Sequence, residues 1–300
     1  MGMVEFHVLV QQTALPAEAA RWRDLRRAIM RTEILMKLIV FLALAASLGA
    51  QQLPPAPGGG RKGPRGNPKD TEVWDPEPKV ITPGATDAAP PSDAIVLFDG
   101  KNLDEWVSTR DKSPAPWIVK DGVLVVSKAR GSGNIETKRT FRDFQLHVEW
   151  KIPPDVTGKD QERGNSGIFL ASTGGGDSGY ELQILDSYNN RTYANGQAGS
   201  IYKQGIPLVN PARKPGEWQT YEVIWMAPGF NEDGSVKTPA NVTVFFNGVL
   251  VQNHFELAGE TLYIGKPFYK KYDRAPIKLQ AHPDPSPAIS FRNIWVRELD

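Results

Sequence analysis

Three acidic residues of the chain have the type and setting needed to cleave a glycosidic bond. Glu149 and Glu181 lie within runs that alternate apolar and polar residues, and Asp186 closes the second of these runs. Glycoside cleavage generally requires one carboxylic acid to protonate the leaving oxygen and a second carboxylate as base or nucleophile. His282 ends another alternating run and is a candidate base or metal ligand. A lone histidine near a strand end is, however, more often a surface or structural residue.

Amide, imidazole and guanidinium groups share the polar side of these runs. Because side chains alternate between the two faces of a sheet, YELQILD places Leu182 and Ile184 on one face and Glu181 and Gln183 on the other. Planar donors and acceptors suit the paired hydrogen bonds made to sugar hydroxyls. A solvated outer sheet is the alternative, since any antiparallel sandwich has one. The candidate side chains beside the acids are His147, Gln183, Gln280, His282 and Arg292.

Three other runs are expected to alternate in the same way. In FQLHVEWKI (144–152) and PIKLQAH (276–282) the apolar positions oppose the polar candidates. In ISFRNIWVREL, strict alternation places Phe291, Asn293 and Trp295 on one face. Each run therefore predicts a strand with one buried face and one face available for binding.

The region from residue 94 onward consists of short β-rich runs separated by Gly, Pro, Asn and Asp. No long amphipathic helix is evident, and regular strands with turn signals predict an all-β sandwich or barrel. Asp121-Gly122 and Asn247-Gly248 predict tight hairpin turns, which need positive φ. The candidate strands are residues 94–98, 117–127, 144–152, 166–172, 180–186, 218–226, 241–252, 276–282 and 289–299.

The composition excludes several kinds of chemistry. The 300 residues contain no cysteine, which excludes disulfides, thiol nucleophiles and Cys-ligated metals. A net charge of +1 provides no general attraction to nucleic acid. The chain has no Gly-Lys-Ser/Thr phosphate loop, no zinc-protease His pair and no nucleophile elbow. The glycine cluster 174–176 lies between predicted strands, where a flexible loop is the simple explanation.

An apolar run near the N-terminus predicts export. Residues 34–48 are almost entirely apolar, and the core of this run, 38–48, is too short for a confident membrane span. Its length matches the hydrophobic part of a signal peptide. We expect a signal peptide over residues 30–50, cleaved after Ala50, and hence a periplasmic or secreted bacterial protein. An uncleaved membrane anchor is the alternative.

The segments on either side of the signal peptide are not expected to be part of the folded domain. Residues 1–29 are interpreted as an upstream extension, with translation starting at Met30 or Met36. Residues 51–93 are rich in Pro and Gly and have too little apolar surface to repay the entropy lost on ordering. We therefore predict a disordered linker there, followed by a folded domain over residues 94–300.

A series of motifs runs through the predicted domain. They are LFDGKNLDEW (97–106), GNSGIFL (164–170), YELQILDS (180–187), GSIY (199–202), PGEW (215–218), the Asn247-Gly248 turn, LQAH (279–282) and FRNIWVREL (291–299). In this order they closely resemble the 3-keto-disaccharide hydrolase domain family, over about residues 93–300. The resemblance implies a concanavalin A-like jelly-roll sandwich that acts on glycosidic bonds of sugars already oxidised at C3.

The resemblance also implies a chemistry and a set of roles. A 3-keto group acidifies the C2 proton, so a base can drive elimination across the glycosidic bond, followed by hydration. Such a reaction needs a base, an acid and a group that stabilises the enolate. Glu181 is expected to be acid or base and His282 a base or ligand, while Gln183 and Arg292 bind the keto sugar or the enolate. Further positions expected to bind substrate are Asn165, Ser166, Tyr202 and Gln280.

Two positions depart from the family pattern. Ala281 stands where the family often has Asp, and Pro283 where it often has Gly. If that Asp is catalytic or binds a metal, the departure bears directly on activity. Lectin-like sandwiches often bind calcium, but the chain has no EF-hand-like cluster of oxygen ligands, and no cofactor is predicted.

Other functions on the same fold stay open at this point. A non-catalytic carbohydrate-binding module would use the same polar face, with aromatic residues such as Tyr202 as sugar platforms. A conventional endoglucanase is disfavoured, because Gln183 and Asp186 replace acids of the expected Glu-x-Asp-x-x-Glu strand. A structural interaction domain is a third alternative. The expected partner is a small-molecule or oligosaccharide substrate, with no nucleic acid and with membrane contact only through the signal peptide or anchor.

Overall fold

The computed structural model describes residues 66–299, which are almost entirely β-structure and turns. Residues 66–77 form part of one compact unit and Pro78–Asp300 form another. The predicted upstream extension, the signal peptide and residues 51–65 of the predicted linker lie outside the described residues. Within the described residues, no helix has the length and apolarity to cross a membrane.

Short antiparallel strands make up the second unit. They are β1 (Ile95–Phe98), β2 (Trp106–Ser108), β3 (Ile118–Lys120), β4 (Val123–Val125), β5 (Ile135–Thr137), β6 (Phe144–Lys151), β7 (Ser166–Ser172), β8 (Gly179–Ile184), β9 (Trp218–Met226), β10 (Gly229–Phe230), β11 (Val236–Thr238), β12 (Asn241–Phe246), β13 (Val249–Glu256), β14 (Lys278–Leu279) and β15 (Ser290–Glu298). Single 3₁₀ turns are at Pro68–Thr71 in the first unit and at Asp160–Glu162 and Ala194–Gly196 in the second.

The strands form two main sheets. The large sheet has the order β13-β12-β9-β6-β15-β4-β3, and β1 pairs with the later part of β15. The small sheet has the order β2-β5-β14-β7-β8, and β10 and β11 form a separate ribbon. This arrangement confirms the predicted all-β sandwich. The three-residue strands β2 and β5 were not predicted, because so short a run shows no alternation.

The core lies between the apolar faces of the two sheets. In β6, Leu146 and Val148 are fully buried, as are Leu182 and Ile184 in β8, and all four belong to one core cluster. Aromatic rings of the large sheet fill the centre, with the ring centroid of Trp150 5.4 Å from that of Tyr221. The alternation predicted for β6 and β8 is therefore confirmed. As a consequence, the polar residues of β8 point away from the core.

Both predicted hairpin turns are present. Asp121 and Gly122 join β3 to β4 with φ of 53° and 74°, and Asn247 and Gly248 join β12 to β13 with φ of 52° and 79°. Two consecutive residues with positive φ define the turn whose twist matches that of the flanking strands. These turns fix the register of both hairpins at the two ends of the large sheet.

Strict alternation in β15 is wrong beyond Arg292. Asn293 adopts a φ of 46°, and the register of β15 against β6 shifts between Arg292 and Trp295. This is a β-bulge, which inserts one residue and reverses the facing of those that follow. Ile294 therefore joins the core cluster instead of opposing it. Asn293 and Trp295 lie with Arg292 on the outer face of the large sheet.

The chain before β1 lies against this outer face. The carbonyl oxygen of Ala88 accepts hydrogen bonds from the side chains of Asn293 (2.8 Å) and Trp295 (3.0 Å). Asp93 forms an ion pair with Arg297 at 2.8 Å. These contacts extend the folded unit upstream of the predicted boundary at residue 94.

Candidate active site

A cavity of about 320 Å³ opens on the outer face of the small sheet. Strand β8 provides part of its wall, because Leu182 and Ile184 are buried in the core and Glu181 and Gln183 must then face outward. The volume lies at the lower end of the range of roughly 300–1,000 Å³ found for small-molecule sites. The lining residues are Asn165, Asp177, Glu181, Gln183, Tyr202, Thr261, Tyr263, Gln280, His282 and Pro283.

Glu181 occupies space that only a glycine on the neighbouring strand leaves open. A Cβ atom at Gly167 of β7 would lie 2.2 Å from a carboxyl oxygen of Glu181 and 2.9 Å from its Cγ. Burial raises the pKa of Glu181, the charge of Asp177 adds to this rise and that of Lys278 opposes it, and together they bring the pKa to about 8. A carboxyl group that stays protonated at neutral pH can donate its proton to a leaving oxygen.

His282 lies in the same cavity, with each ring nitrogen facing a different partner. Its Nε2 is 3.5 Å from the amide nitrogen of Asn165, and its Nδ1 is 3.4 Å from a carboxylate oxygen of Asp284. An amide NH₂ is a donor and a carboxylate is an acceptor, so a singly protonated ring in this setting carries its proton on Nδ1. The lone pair of Nε2 then lies on the side of Asn165, which lines the same cavity, and a general base in this cavity would use it.

Asp284 stays ionised beside this histidine. Burial raises the pKa of Asp284, but the contacts with His282 and Lys128 outweigh burial and hold the pKa below its ordinary value. The Nζ atom of Lys128 lies 3.0 Å from a carboxylate oxygen of Asp284. The negative charge lies 3.4 Å from Nδ1 of His282 and would stabilise the ring once it gains a proton.

Two glutamines present free acceptors to the cavity. The amide nitrogen of Gln183 donates to Gln161 at 3.2 Å and to Asn165 at 3.3 Å. The side-chain oxygens of Gln183 and Gln280 are buried and have no hydrogen-bond partner among residues 66–299. A buried polar atom without a partner is costly and usually marks a site for water or ligand. Both oxygens can therefore accept hydrogen bonds from sugar hydroxyls.

Tyrosine side chains form one rim of the cavity. Tyr202 and Tyr263 line it, and the hydroxyl of Tyr202 lies 2.8 Å from that of Tyr193. The Nζ atom of Lys203 lies 4.7 Å from the ring centroid of Tyr263 and 5.9 Å from that of Tyr202. This cation holds the rings together and leaves them a flat apolar surface, which suits the face of a sugar ring.

The glycine cluster predicted as a flexible loop is tied down in the structure. The Nζ atom of Lys278, a fully buried residue of β14, donates to the carbonyl oxygens of Gly174 (3.2 Å), Gly176 (2.9 Å) and Ser178 (2.8 Å). This contact brings Asp177 of the same loop to the cavity. Sequence reasoning missed the loop as a functional element. The only available signal was a lysine on the polar face of the LQAH strand.

Three predicted site residues lie on the opposite side of the sandwich. His147, Glu149 and Arg292 belong to the outer face of the large sheet, and none lines the cavity. Glu149 accepts hydrogen bonds from Arg292 at 2.6 Å and Asn293 at 2.9 Å. His147 is bonded to Glu222 through Nδ1 and lies 3.1 Å from Asn293 through Nε2. The expected single site is thus split between two faces, because β6 and β8 belong to different sheets.

This second cluster has the character of a structural network. Burial raises the pKa of Glu149, but hydrogen bonds from Asn293 and Arg292 and the charge of Arg292 keep the pKa below its ordinary value. Each carboxylate oxygen of Glu149 has a protein donor within 2.9 Å. A carboxylate satisfied in this way is not available to accept or donate a proton in a reaction.

Arg292→Met is expected to lower the free energy of unfolding by about 1–3 kcal/mol, because it leaves a largely buried carboxylate without its cation. Urea denaturation of the variant measures the change. Lys101→Met is the matched control, since the Lys101–Asp99 pair is exposed and should contribute little. Equal stability of the two variants would contradict a structural role for the Glu149–Arg292 pair.

Two further predicted residues lie near the cavity without lining it. The hydroxyl of Ser166 donates to the main-chain oxygen of Gln280 at 2.7 Å. Asp186 is buried and pairs with Arg163 at 2.5 Å. Both hold the strands that form the cavity. The predicted residues that the cavity does bring together are Asn165, Glu181, Gln183, Tyr202, Gln280 and His282.

Among residues 66–299, no group of three His, Asp or Glu side chains converges as a metal site would require. The ionisable groups that face the cavity are a carboxyl, a carboxylate and an imidazole, from Glu181, Asp177 and His282.

The antiparallel sandwich and this acid, base and amide set define a glycosyl hydrolase-like domain. Residues 93–297 match the 3-keto-alpha-glucoside-1,2-lyase-like domain, and the chain belongs to this family. The resemblance found in the sequence is thereby confirmed.

Solved structures give the same result. A proposed glycosyl hydrolase from Parabacteroides distasonis is 52% identical to this chain with a TM-score of 0.71, and the match covers 78% of this chain and 97% of that one. A second proposed glycosyl hydrolase from this organism is 23% identical with a TM-score of 0.52, and the match covers 69% of this chain and 94% of that one. The second likeness shows the fold alone. No curated protein sequence matches the chain.

Proposed function

We propose that the chain cleaves glycosidic bonds of sugars that carry a ketone at C3, by elimination followed by hydration. The observation that carries this proposal is the presence in one cavity of the buried carboxyl of Glu181, whose pKa is raised to about 8, and the imidazole of His282. Such an elimination needs one group that donates a proton to the leaving oxygen and a second group that accepts the C2 proton.

The residues of the cavity account for each proton in the reaction. The Nε2 atom of His282 takes the C2 proton, which the neighbouring ketone has acidified. The electron pair of the C2–H bond forms the C1–C2 double bond while the C1–O bond breaks, and Glu181 gives its proton to the leaving oxygen. The side-chain NH₂ of Gln280, a residue that lines the cavity, donates to the ketone oxygen as negative charge develops there. Addition of water across the double bond then releases the free 3-keto sugar.

The two departures from the family pattern leave this acid and base in place. Ala281 does not line the cavity that holds Glu181 and His282, but borders a neighbouring one. The carboxylate that faces His282 comes from Asp284, two positions further along the chain. Pro283 lies at the cavity wall, where its ring adds apolar surface. These placements support a catalytic domain.

The decisive experiment is incubation of the full chain with 3-keto-trehalose or 3-keto-sucrose in deuterated water. Release of reducing sugar with deuterium at C2 is the expected result, because elimination and rehydration exchange that proton. Release without deuterium would favour direct hydrolysis. Binding without release would overturn the proposal in favour of a carbohydrate-binding module. The unoxidised disaccharides serve as controls, and they should not be cleaved.

Asp284→Asn is expected to lower kcat by roughly 10²-fold, because an amide cannot hold the proton on Nδ1 of His282 or stabilise the protonated ring. The expected KM change is small, since Asp284 does not line the cavity. Steady-state kinetics on 3-keto-trehalose measure both constants. Lys128→Met removes the other partner of Asp284 and should have a weaker effect on kcat. A stronger effect of Lys128→Met would show that Asp284 acts only in the fold.

Export remains part of the proposal. The short apolar core 38–48, the positive charge before it and the small residues ending at Ala50 support a signal peptide. A cleaved N-terminus starting at Gln51 in the periplasmic or secreted fraction is the expected result of sequencing the mature protein. A full-length chain in the membrane fraction would favour the uncleaved anchor.

A further inference from the structure

A second cavity of about 490 Å³ adjoins the one that holds Glu181 and His282. Loops that precede or follow strands of the small sheet line it, and Asp177 borders both cavities. The acid and base line the first of these neighbouring cavities. The second cavity is therefore placed to hold the part of a substrate that lies beyond the scissile bond.

Two main-chain N–H groups of the loop 174–178 turn away from a buried cation. Lys278 draws the carbonyl oxygens of Gly174 and Gly176 toward its Nζ atom. In a planar trans peptide the N–H points opposite to the C=O, so the N–H groups of Gly175 and Asp177 point away from Lys278. Both residues line the second cavity. Neither N–H donates to a protein main-chain oxygen among residues 66–299.

Arg110 adds a positive charge to the same cavity. It lines the cavity from the loop after β2 and is exposed. Its guanidinium takes no part in the ion pairs of the described residues. The carboxylate of Asp177 is held by the amide of Asn134 at 3.0 Å. Asp177 is the one acidic residue among the described residues that line this cavity. Ala281 presents only a methyl group there, so it adds no negative charge near Arg110.

We propose that the second cavity binds an anionic sugar, through a carboxylate held between Arg110 and the N–H groups of Gly175 and Asp177. A guanidinium and converging main-chain N–H groups are a strong combination for such an anion. Resting on the proposed function, this inference identifies the substrates as 3-keto-glycosides whose leaving group is a sugar acid. The buried ammonium of Lys278 adds positive potential behind the loop.

The test compares methyl β-D-glucuronide with methyl β-D-glucoside as probes, using calorimetric titration of the full chain. The two probes differ in the carboxylate, so the glucuronide is expected to bind about tenfold or more tightly, and less so at high salt. Arg110→Gln should abolish that preference, and Arg110→Lys should restore part of it. Arg130→Gln, which removes an exposed arginine that lines neither cavity, is the matched control and should keep the preference.

Equal affinity of the two probes for the unmodified chain would overturn the anion site. A loss of preference in Arg130→Gln as large as in Arg110→Gln would overturn it as well, because the effect would then be one of general charge. These results are independent of turnover. Failure to cleave any 3-keto-glycoside would count against the proposed function, while preferential binding of the glucuronide would still support the anion site.

Discussion

Glu181→Gln is expected to lower the turnover of 3-keto-glucosides by about 10²–10⁴-fold, the usual contribution of a general acid. Glutamine keeps the shape of the protonated carboxyl and its fit against Gly167, so the substrate should still bind with a similar KM. A loss in kcat with KM preserved identifies an interaction made in the transition state. Glu217→Gln, at an exposed position outside the cavity, is the matched control and should retain full activity. Near-normal turnover of Glu181→Gln would remove Glu181 from the mechanism.

The pH dependence of the activity gives a second test of the role of Glu181. The acid must be protonated to act, so activity of the unmodified chain is expected to fall as pH rises through about 8, the pKa of Glu181. The residual activity of Glu181→Gln should lack this alkaline limb. A limb that persists in the variant would have to come from another group.

The stability of the protein should depend on pH through the same carboxyl group. In the folded state Glu181 keeps its proton up to about pH 8, whereas in the unfolded chain it releases the proton near its ordinary pKa of 4.5. Between these values the folded state binds more protons than the unfolded state, so the free energy of unfolding falls as pH rises, by at most about 1.4 kcal/mol per pH unit. Denaturant titrations across this window should show the decrease in the unmodified chain and a weaker dependence in Glu181→Gln.

Alternation along single strands predicted much of the cavity. Glu181 and Gln183 face outward because their neighbours in β8 are core residues, and Gln280 and His282 do so beyond β14. This reasoning works wherever a strand is regular, since a side chain then has only two choices of face. The family resemblance named the same four residues through independent motifs.

Alternation could not predict which sheet a strand joins. Glu149 in β6 and Glu181 in β8 have similar surroundings in the sequence, but the two strands belong to opposite layers, and their polar faces point away from each other. The bulge at Asn293 was equally hidden, because a left-handed residue inside a strand has no signature in the apolar pattern. Asp177 and Asp284 come from loops, whose positions depend on contacts with residues far away in the chain.

Lys278→Met is expected to lower the free energy of unfolding by about 2–4 kcal/mol. Methionine fills a similar volume and keeps the apolar contact with Phe169, whose ring centroid lies 4.5 Å from Nζ. It leaves the carbonyl oxygen of Gly174 without a donor and removes one of the two donors to the carbonyl oxygens of Gly176 and Ser178. Urea denaturation measures the change. The matched control is Lys270→Met, because exposed Lys270 donates to Thr173 of the same loop at 3.0 Å and its loss should change stability by less than about 0.5 kcal/mol.

The same substitution distinguishes a positioning role from a purely structural one. The charge of Lys278 lowers the pKa of Glu181, so its removal should move the alkaline limb of the activity profile to higher pH. The loop that Lys278 holds also carries Asp177 and the N–H groups of the second cavity. Lys278→Met should therefore weaken binding of methyl β-D-glucuronide, although no atom of Lys278 lines that cavity. A variant that loses stability but keeps both the pH limb and glucuronide binding would show that Lys278 supports only the fold.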